Sequence, residues 1–448
     1  MNSLAQRDLS VLWHPCTQMK DHETYPLIPI EKGEGAYLID FEGNRYIDAI
    51  SSWWVNILGH GNKNIATAIG KQAAQLEQVI FAGFSHQPAI ELAEHLVDIT
   101  PDGLSRVFYA DNGSAAVEVA LKMSFHYWLN QGKPEKKRFV ALKNGYHGET
   151  LGALSVGDVA LYKETYEPLL FDVLMAPSPD CFYRNEDDSW QDYSLRQFKA
   201  MEALIEQSHQ EIAAIILEPL VQCAGNMRMY HPIYLQKIRQ LCDHYQVHLI
   251  ADEIAVGFGR TGAWFACNHA AITPDFMCLS KGLTGGFLPL SAVLTRDSVY
   301  QAFYHDYESL KGFLHSHSYS GNPIACAAAV ATIKTLKENN IIEQNQKLVH
   351  KLSQIKETFK EHPYVGDVRQ TGMILAVEMM RDPKQKVEFD WRERRGMKVY
   401  QYALSKGVLL RPLANVVYFM PPYVITEQEL DYVAQVAWEG IDRATQDL

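Results

Sequence analysis

The sequence predicts an α/β fold, with a mostly parallel central sheet covered by helices and a small α/β domain assembled from both termini. Three observations predict it. From about residue 61, short apolar runs alternate with longer helix-like segments, the pattern of strand–helix–strand units with helices on both faces of a sheet. Several of those runs end abruptly in polar residues able to do chemistry, as expected where ligands bind beyond the carboxyl ends of parallel strands. Past about residue 336 the alternation stops, and a long polar segment leads into a few isolated strand-like runs.

In chain order, residues 1–60 form an N-terminal segment expected to pack with the small domain. Ala36–Asp40 and Tyr46–Asp48 read as a hairpin around Glu42-Gly43-Asn44. Residues 61–335 form the large domain. Its strands are expected at Arg106–Ala110, Arg138–Leu142, Ala213–Leu217, Val247–Ala251, Asp275–Leu279 and Leu290–Leu294, and its helices include Ser114–Asn130, Pro232–Tyr245 and Asn322–Lys337. Residues 336–448 form the small C-terminal α/β domain. A helix near 340–361 precedes strands at Val365–Arg369, Met373–Val377 and Val416–Phe419. No repeat period is visible.

Composition narrows the function classes. A formal charge of −12 with no Lys/Arg-rich run argues against a nucleic-acid partner. No apolar run approaches the roughly 20 residues of a membrane span, and the amino-terminal residues lack a secretory pattern, so a cytoplasmic location is expected. The seven cysteines are scattered and form no CxxC pair, which argues against both a disulfide framework and a metal site.

The chemistry concentrates at strand ends. Lys281 follows Asp275–Leu279, and Asp252 closes Val247–Ala251. A lysine and an aspartate so placed are what pyridoxal phosphate requires: the amine condenses with the cofactor's aldehyde, and the carboxylate keeps the pyridine nitrogen protonated so that the ring withdraws electrons. Asp111-Asn112-Gly113-Ser114 lies between a strand and a long helix, where free N–H groups can bind an anion. Ser114 could equally be an ordinary helix cap; the lysine–aspartate pair favours a phosphate. In Asn144-Gly145-Tyr146-His147-Gly148, Tyr146 is the candidate for stacking on the ring, with His147 beside it. Glu218-Pro219 ends another strand, and its acid reads as either a cap or a member of the site. Arg411, after Val408-Leu409-Leu410, reads as a surface ion-pair partner or as a bidentate carboxylate handle.

Gly257-Phe258-Gly259-Arg260-Thr261-Gly262 matches the dinucleotide-binding letters. That fingerprint needs a strand running into the first glycine and a helix opening at the last. Asp252-Glu253 closes the strand several residues earlier, so a dehydrogenase is not expected.

Taken together, Gly113-Ser114, Tyr146-His147-Gly148, Glu218-Pro219, Ala251-Asp252-Glu253 with Gly257–Gly262, and Leu279-Ser280-Lys281-Gly282 resemble the class III (ω-type) aminotransferases, which are fold-type I pyridoxal phosphate enzymes. The resemblance runs along essentially the whole chain. Trp13-His14-Pro15, Ser51-Ser52-Trp53-Trp54, Met227–Pro232, Ser320-Gly321-Asn322-Pro323 and Met420–Tyr423 narrow it to the biotin-pathway branch. Members of that branch convert 8-amino-7-oxononanoate to 7,8-diaminononanoate, with S-adenosylmethionine as amino donor.

The resemblance implies Lys281 and Asp252 as catalytic residues, Gly113 and Ser114 on the phosphate, and Tyr146 near the ring. It implies Trp53, Trp54, Tyr146, Arg411 and Gly321 around the substrate. It also implies Ser318 as a phosphate-binding hydroxyl given to the other subunit, hence a homodimer with shared sites. Indole walls and one arginine suit an apolar chain ending in a carboxylate, although paired tryptophans can also be plain core. Two departures stand out: Cys16 occupies a position where many members carry tyrosine, and Ser318 replaces the commoner threonine. The first leaves lysine open as the donor. A general ω-aminotransferase acting on ornithine, 4-aminobutyrate or other diamines, and a non-catalytic assembly partner, are the remaining alternatives.

Overall fold

The computed structural model describes residues 3–185 and 187–446. Its centre is a seven-stranded sheet. In spatial order the strands are Leu104–Ala110, Ser291–Arg296, Phe276–Leu279, His248–Asp252, Ile212–Leu217, Arg138–Leu142 and Leu174–Ala176. Only Ser291–Arg296 runs antiparallel to its neighbours; the other contacts are parallel. Ile212–Leu217 and His248–Asp252 are buried at every position, because helices cover both faces. The unbroken apolar run of Ile212–Leu217, and the Leu249–Ala251 core of its neighbour, are the expected mark of such strands. Six of the seven strands lie where the sequence places them, within two residues at each end. The seventh, Leu174–Ala176, is a three-residue edge strand, too short to carry a periodic signal.

The termini build smaller sheets. Ile30–Glu34, Tyr37–Asp40 and Arg45–Asp48 form an antiparallel meander, and Val408–Leu409 joins Arg45–Asp48 in parallel. Val365–Thr371, Ile374–Asp382 and Val416–Phe419 form an antiparallel sheet. The pairing of residues 45–48 with 408–409 supports, as a proposal, a division into segments 1–60, 61–335 and 336–448. The polar helix expected near 340–361 is split at Asn345 into Ile341–Gln344 and Gln346–Lys360.

A buried charge network fastens a site loop to the C-terminal sheet. The hairpin of Val221–Gln222 with Arg228–Met229 is gripped by Arg228, whose two guanidinium nitrogens donate to Glu378 at 2.8 and 2.9 Å. Arg369 donates to the same carboxylate at 2.7 Å and to the Met227 carbonyl at 2.7 Å. Among the described residues, no helix is long and apolar enough to cross a membrane.

Candidate active site

The strand ends of the central sheet open into a cavity of about 830 Å³. Its walls include Gly113, Ser114, Tyr146, His147, Glu218, Asp252 and Lys281 from the large sheet's loops, with Trp53, Trp54 and Arg411 from the terminal segments. The structure thus gathers these ten residues singled out in the sequence, and Cys16 lines the cavity with them. Ser318 and Gly321 do not line the cavity of their own chain. The Ser318 carbonyl accepts from Gln78, and the Gly321 carbonyl from His86 at 2.7 Å.

Asp252 ends its strand almost fully buried. One carboxylate oxygen lies 2.7 Å from His147 Nδ1, and the other accepts the Ile254 N–H at 3.1 Å. His147 Nε2 is buried with no partner among the described residues. Glu218 accepts the Tyr146 and Cys223 N–H groups at 3.0 and 2.9 Å, so its part here is to fix the loop that carries Tyr146. Burial pushes the Glu218 carboxyl up to about 7, against the pull of His147 and with a further push from Asp252.

Glu253, equally buried, is also raised to about 7. The folded chain therefore keeps two protons at pH values where the unfolded chain has released them. Their stabilising effect is full below the ordinary value of 4.5 and is lost as pH rises through about 7. The melting temperature of the cofactor-free protein is expected to fall between pH 5 and pH 8, and less steeply in Glu218→Gln or Glu253→Gln.

Burial holds the Lys281 ammonium below its usual range, opposed by Asp252, Cys223 and Glu218. Its Nζ lies 5.1 Å from the centre of the Trp54 ring. Lys281 also has φ of +48°, a left-handed backbone at the residue proposed to do the chemistry, where such strain concentrates.

The long helix Gly113–Asn130 begins at the cavity, capped by Asn112, whose side chain accepts the Ala115 N–H at 3.0 Å. The cap is thus one position the sequence reading did not choose, and Ser114 is not the cap. The N–H groups of Gly113 and Ser114 belong to the helix's first turn, which has no intrahelical partner for them. Ser114 Oγ is held by Thr150, which donates its N–H at 3.0 Å. Gly148, at φ +119°, packs so closely that an added Cβ would lie 2.4 Å from Ser114 Oγ. An anion cradle, a buried carboxylate beside an unpartnered imidazole nitrogen, and a lysine biased toward the free amine fit pyridoxal phosphate.

The opposite wall has unusual backbone. Ser51, Ser52, Trp53 and Trp54 have φ of +52°, +45°, +73° and +74°, a left-handed turn closed by the Trp54 and Val55 N–H groups on the Ile50 and Ser51 carbonyls. For L-residues that conformation costs about 1–2 kcal/mol each. Trp54 is buried, and its Nε1 donates to Tyr418 Oη at 3.0 Å, whereas Trp53 is 44% exposed. The two tryptophans are therefore not interchangeable core.

Arg411 lies 5.9 Å from the Tyr400 ring, and among the described residues no carboxylate pairs with it. That removes the surface ion-pair reading. Gly257–Gly262 forms turns and no helix opens at its last glycine. Arg260, only 1% exposed, donates instead to the Pro421, Met420 and Trp54 carbonyls. The resemblance of this segment to a dinucleotide loop is one of letters alone.

Sequence reasoning did not single out Glu149, Tyr162 or Tyr418, which also line the cavity. Tyr146 Oη donates to Glu149 at 3.0 Å. Tyr162 packs edge-on to Tyr146 at 5.4 Å, and Cys16 Sγ lies 3.8 Å from its hydroxyl. Tyr162 and Tyr418 sit in segments without a recognisable motif; Glu149, next to Gly148, was the one within reach.

The profile of the aminotransferase class-III family matches residues 18–437. The adenosylmethionine-8-amino-7-oxononanoate aminotransferase of Helicobacter pylori is 48% identical over 96% of this chain and 95% of its own length. A crystal structure of the enzyme of that name from Methanocaldococcus jannaschii superposes with a TM-score of 0.93, at 38% identity over 99% of each chain. An omega transaminase from Pseudomonas jessenii, in complex with PMP, superposes at 0.94 with 31% identity over 99% of each chain. Likeness of this degree along the whole length, in a chain whose cavity has the cradle, acid and amine the cofactor needs, shows that the chain belongs to the class-III aminotransferases and is a pyridoxal phosphate-dependent enzyme.

Proposed function

We propose that the chain transfers the amino group of S-adenosylmethionine to the keto carbon of 8-amino-7-oxononanoate, forming 7,8-diaminononanoate in biotin synthesis, as a cytoplasmic homodimer. One observation carries the reading beyond the family. Arg411, unpaired among the described residues, shares a cavity with the paired tryptophans and the buried lysine. An apolar chain with a carboxylate at one end and a keto carbon toward the other suits that arrangement. Relatives carrying the corresponding name at up to 48% identity support it. Ser318 and Gly321, outside their own cavity and next to the exposed Tyr319, support a site completed by a second subunit.

When bound, pyridoxal phosphate supplies an aldehyde that condenses with amines and a pyridinium ring that draws electrons from the neighbouring carbon. Lys281 Nζ takes the proton from the amine-bearing carbon and later returns one, a double role suited to an amine whose pKa is lowered. Asp252, fixed by His147 and the Ile254 N–H, holds negative charge where the ring nitrogen must stay protonated. Gly113 and Ser114 receive the phosphate. Tyr146, whose N–H is held by Glu218, would help hold the ring and exclude water once the cofactor is bound.

Arg411 binds the acceptor's carboxylate. Arg411→Leu is expected to raise the Michaelis constant for the keto acid by about 10- to 100-fold, the worth of one charge-assisted bidentate pair, and to leave the donor half-reaction within a few fold. Steady-state kinetics with each substrate varied in turn checks this. Glu149 is the exposed carboxylate on the cavity wall, and the donor is a cation. Glu149→Gln is therefore expected to weaken S-adenosylmethionine by up to about 5-fold, as for a partly solvated ion pair, and to weaken the keto acid less.

The absorbance of the bound cofactor tests the donor. Bleaching by S-adenosylmethionine, but not by lysine or ornithine, is the expected result. Bleaching by lysine alone would keep the chemistry and replace the donor; bleaching by ornithine would point to a general ω-aminotransferase.

A further inference from the structure

We propose that Asp48 and His60 are positioning residues for the acceptor: through Ser52 they hold the left-handed turn that sets Trp53 and Trp54 on the cavity wall. The inference rests on that wall receiving the apolar part of the acceptor. None of Ser51, Ser52, Trp53 and Trp54 is glycine, and all four adopt positive φ, which their own stereochemistry disfavours. Something outside the turn must therefore hold it, and returning it to the right-handed region would re-aim both indoles.

Asp48 is fully buried at the end of its strand, where its N–H donates to the Ala36 carbonyl at 2.8 Å and its backbone is in register with Leu409. One carboxylate oxygen accepts the N–H groups of Ser52 at 2.9 Å and Ile50 at 3.3 Å. The other accepts the Ser52 hydroxyl at 2.7 Å and His60 Nε2 at 2.9 Å. Asn56 Nδ2 donates to His60 Nδ1 at 2.9 Å, which places the ring proton on Nε2, facing Asp48. Asn56 is itself tied back, its N–H donating to the Ser51 carbonyl at 3.0 Å. The imidazole thus closes a loop of bonds running from the strand end, through the turn, to the residues that follow it. Gly286 lets the chain approach from beneath: a Cβ there would lie 3.1 Å from the Asn56 nitrogen. Neither Asp48 nor His60 lines the cavity, so both act through the tryptophans.

The test uses the cofactor-loaded enzyme and three proteins: wild type, His60→Leu, and His60→Leu with Ser52→Gly. The second change makes the left-handed conformation intrinsically accessible. The expected result for His60→Leu is a Michaelis constant for 8-amino-7-oxononanoate raised about tenfold, turnover at saturation within about threefold, and an altered tryptophan signal in near-ultraviolet circular dichroism. Adding Ser52→Gly is expected to restore part of both changes. An unchanged Michaelis constant and dichroism in His60→Leu would overturn the proposal. So would a parallel loss of turnover and melting temperature that glycine does not repair, because that is a merely structural role. A wild-type enzyme that ignores this keto acid would refute the substrate reading instead, and the dichroism with its glycine rescue would still decide whether the pair holds the turn.

Discussion

Lys281→Ala is expected to lower transamination by on the order of 10^4-fold or more, because it removes the group that both accepts and returns the proton. The structure leaves no substitute. The other titratable groups beside Lys281 are Asp252, committed to His147 and the Ile254 N–H, His147, tied through Nδ1 to Asp252, and Glu218, committed to two backbone N–H groups. None is an amine, so none can form the covalent bond to the cofactor. The Gly113–Ser114 cradle and Asp252 remain, so the variant is expected to bind the cofactor without a covalent bond. Borohydride treatment followed by intact-protein mass spectrometry should then find no attached cofactor, whereas wild type should carry one per chain. Substantial turnover in the variant, or covalent attachment elsewhere, would refute the assignment of Lys281.

The second large effect is at Asp252. Asp252→Asn keeps the shape of the side chain but removes its charge, and an adjacent opposite charge commonly moves a pKa by about one to three units. A ring nitrogen that loses its proton to that extent slows proton removal by about 10- to 1000-fold. The upper half of that range is expected because the carboxylate is nearly fully buried, where charges act through a low dielectric. The rate of the donor half-reaction and its pH profile check this. Asp252→Glu should lose less, because the charge survives while the bond to His147 is displaced. An Asp252→Asn rate within a few fold of wild type would show that the carboxylate does not act on the ring.

Much of this site was legible in the sequence because its groups stand at the carboxyl ends of buried strands. Leu249–Ala251 and Phe276–Leu279 are apolar runs, and the chemistry-bearing residues just past them, Asp252 and Lys281, are conspicuous for that reason. Burial on both faces produces such runs, so the strands and the chemistry were found by one signal. For Arg411 the residues alone leave a surface ion pair and a carboxylate handle open, and the resemblance favours the handle; the structure adds the cavity beside it and the absence of a paired carboxylate among the described residues.

What escaped the sequence has specific physical causes. The left-handed turn at Ser51–Trp54 contains no glycine or asparagine, the residues that ordinarily announce positive φ; it is held locally by Asp48, itself braced by His60, and by bonds to Met420 and Tyr418 that reach across the chain. The cap of the long helix is Asn112, two residues before Ser114, for which a cap was the alternative to a phosphate role; both are good caps, and only the bond from the Ala115 N–H distinguishes them. Tyr162 comes to Tyr146 from the four-residue helix Ala160–Lys163, which follows an irregular stretch after Leu151–Ser155 and is too short for a periodicity to be read.

The measurement that tests the central claim most directly is a turnover with S-adenosylmethionine carrying a nitrogen-15 amino group and unlabelled 8-amino-7-oxononanoate, with the product analysed by mass spectrometry. The expected result is 7,8-diaminononanoate one mass unit heavier than the unlabelled compound, formed by wild type and not by Lys281→Ala. Product without the label would contradict the donor, and no diamine from the cofactor-loaded wild-type protein would contradict the proposed reaction.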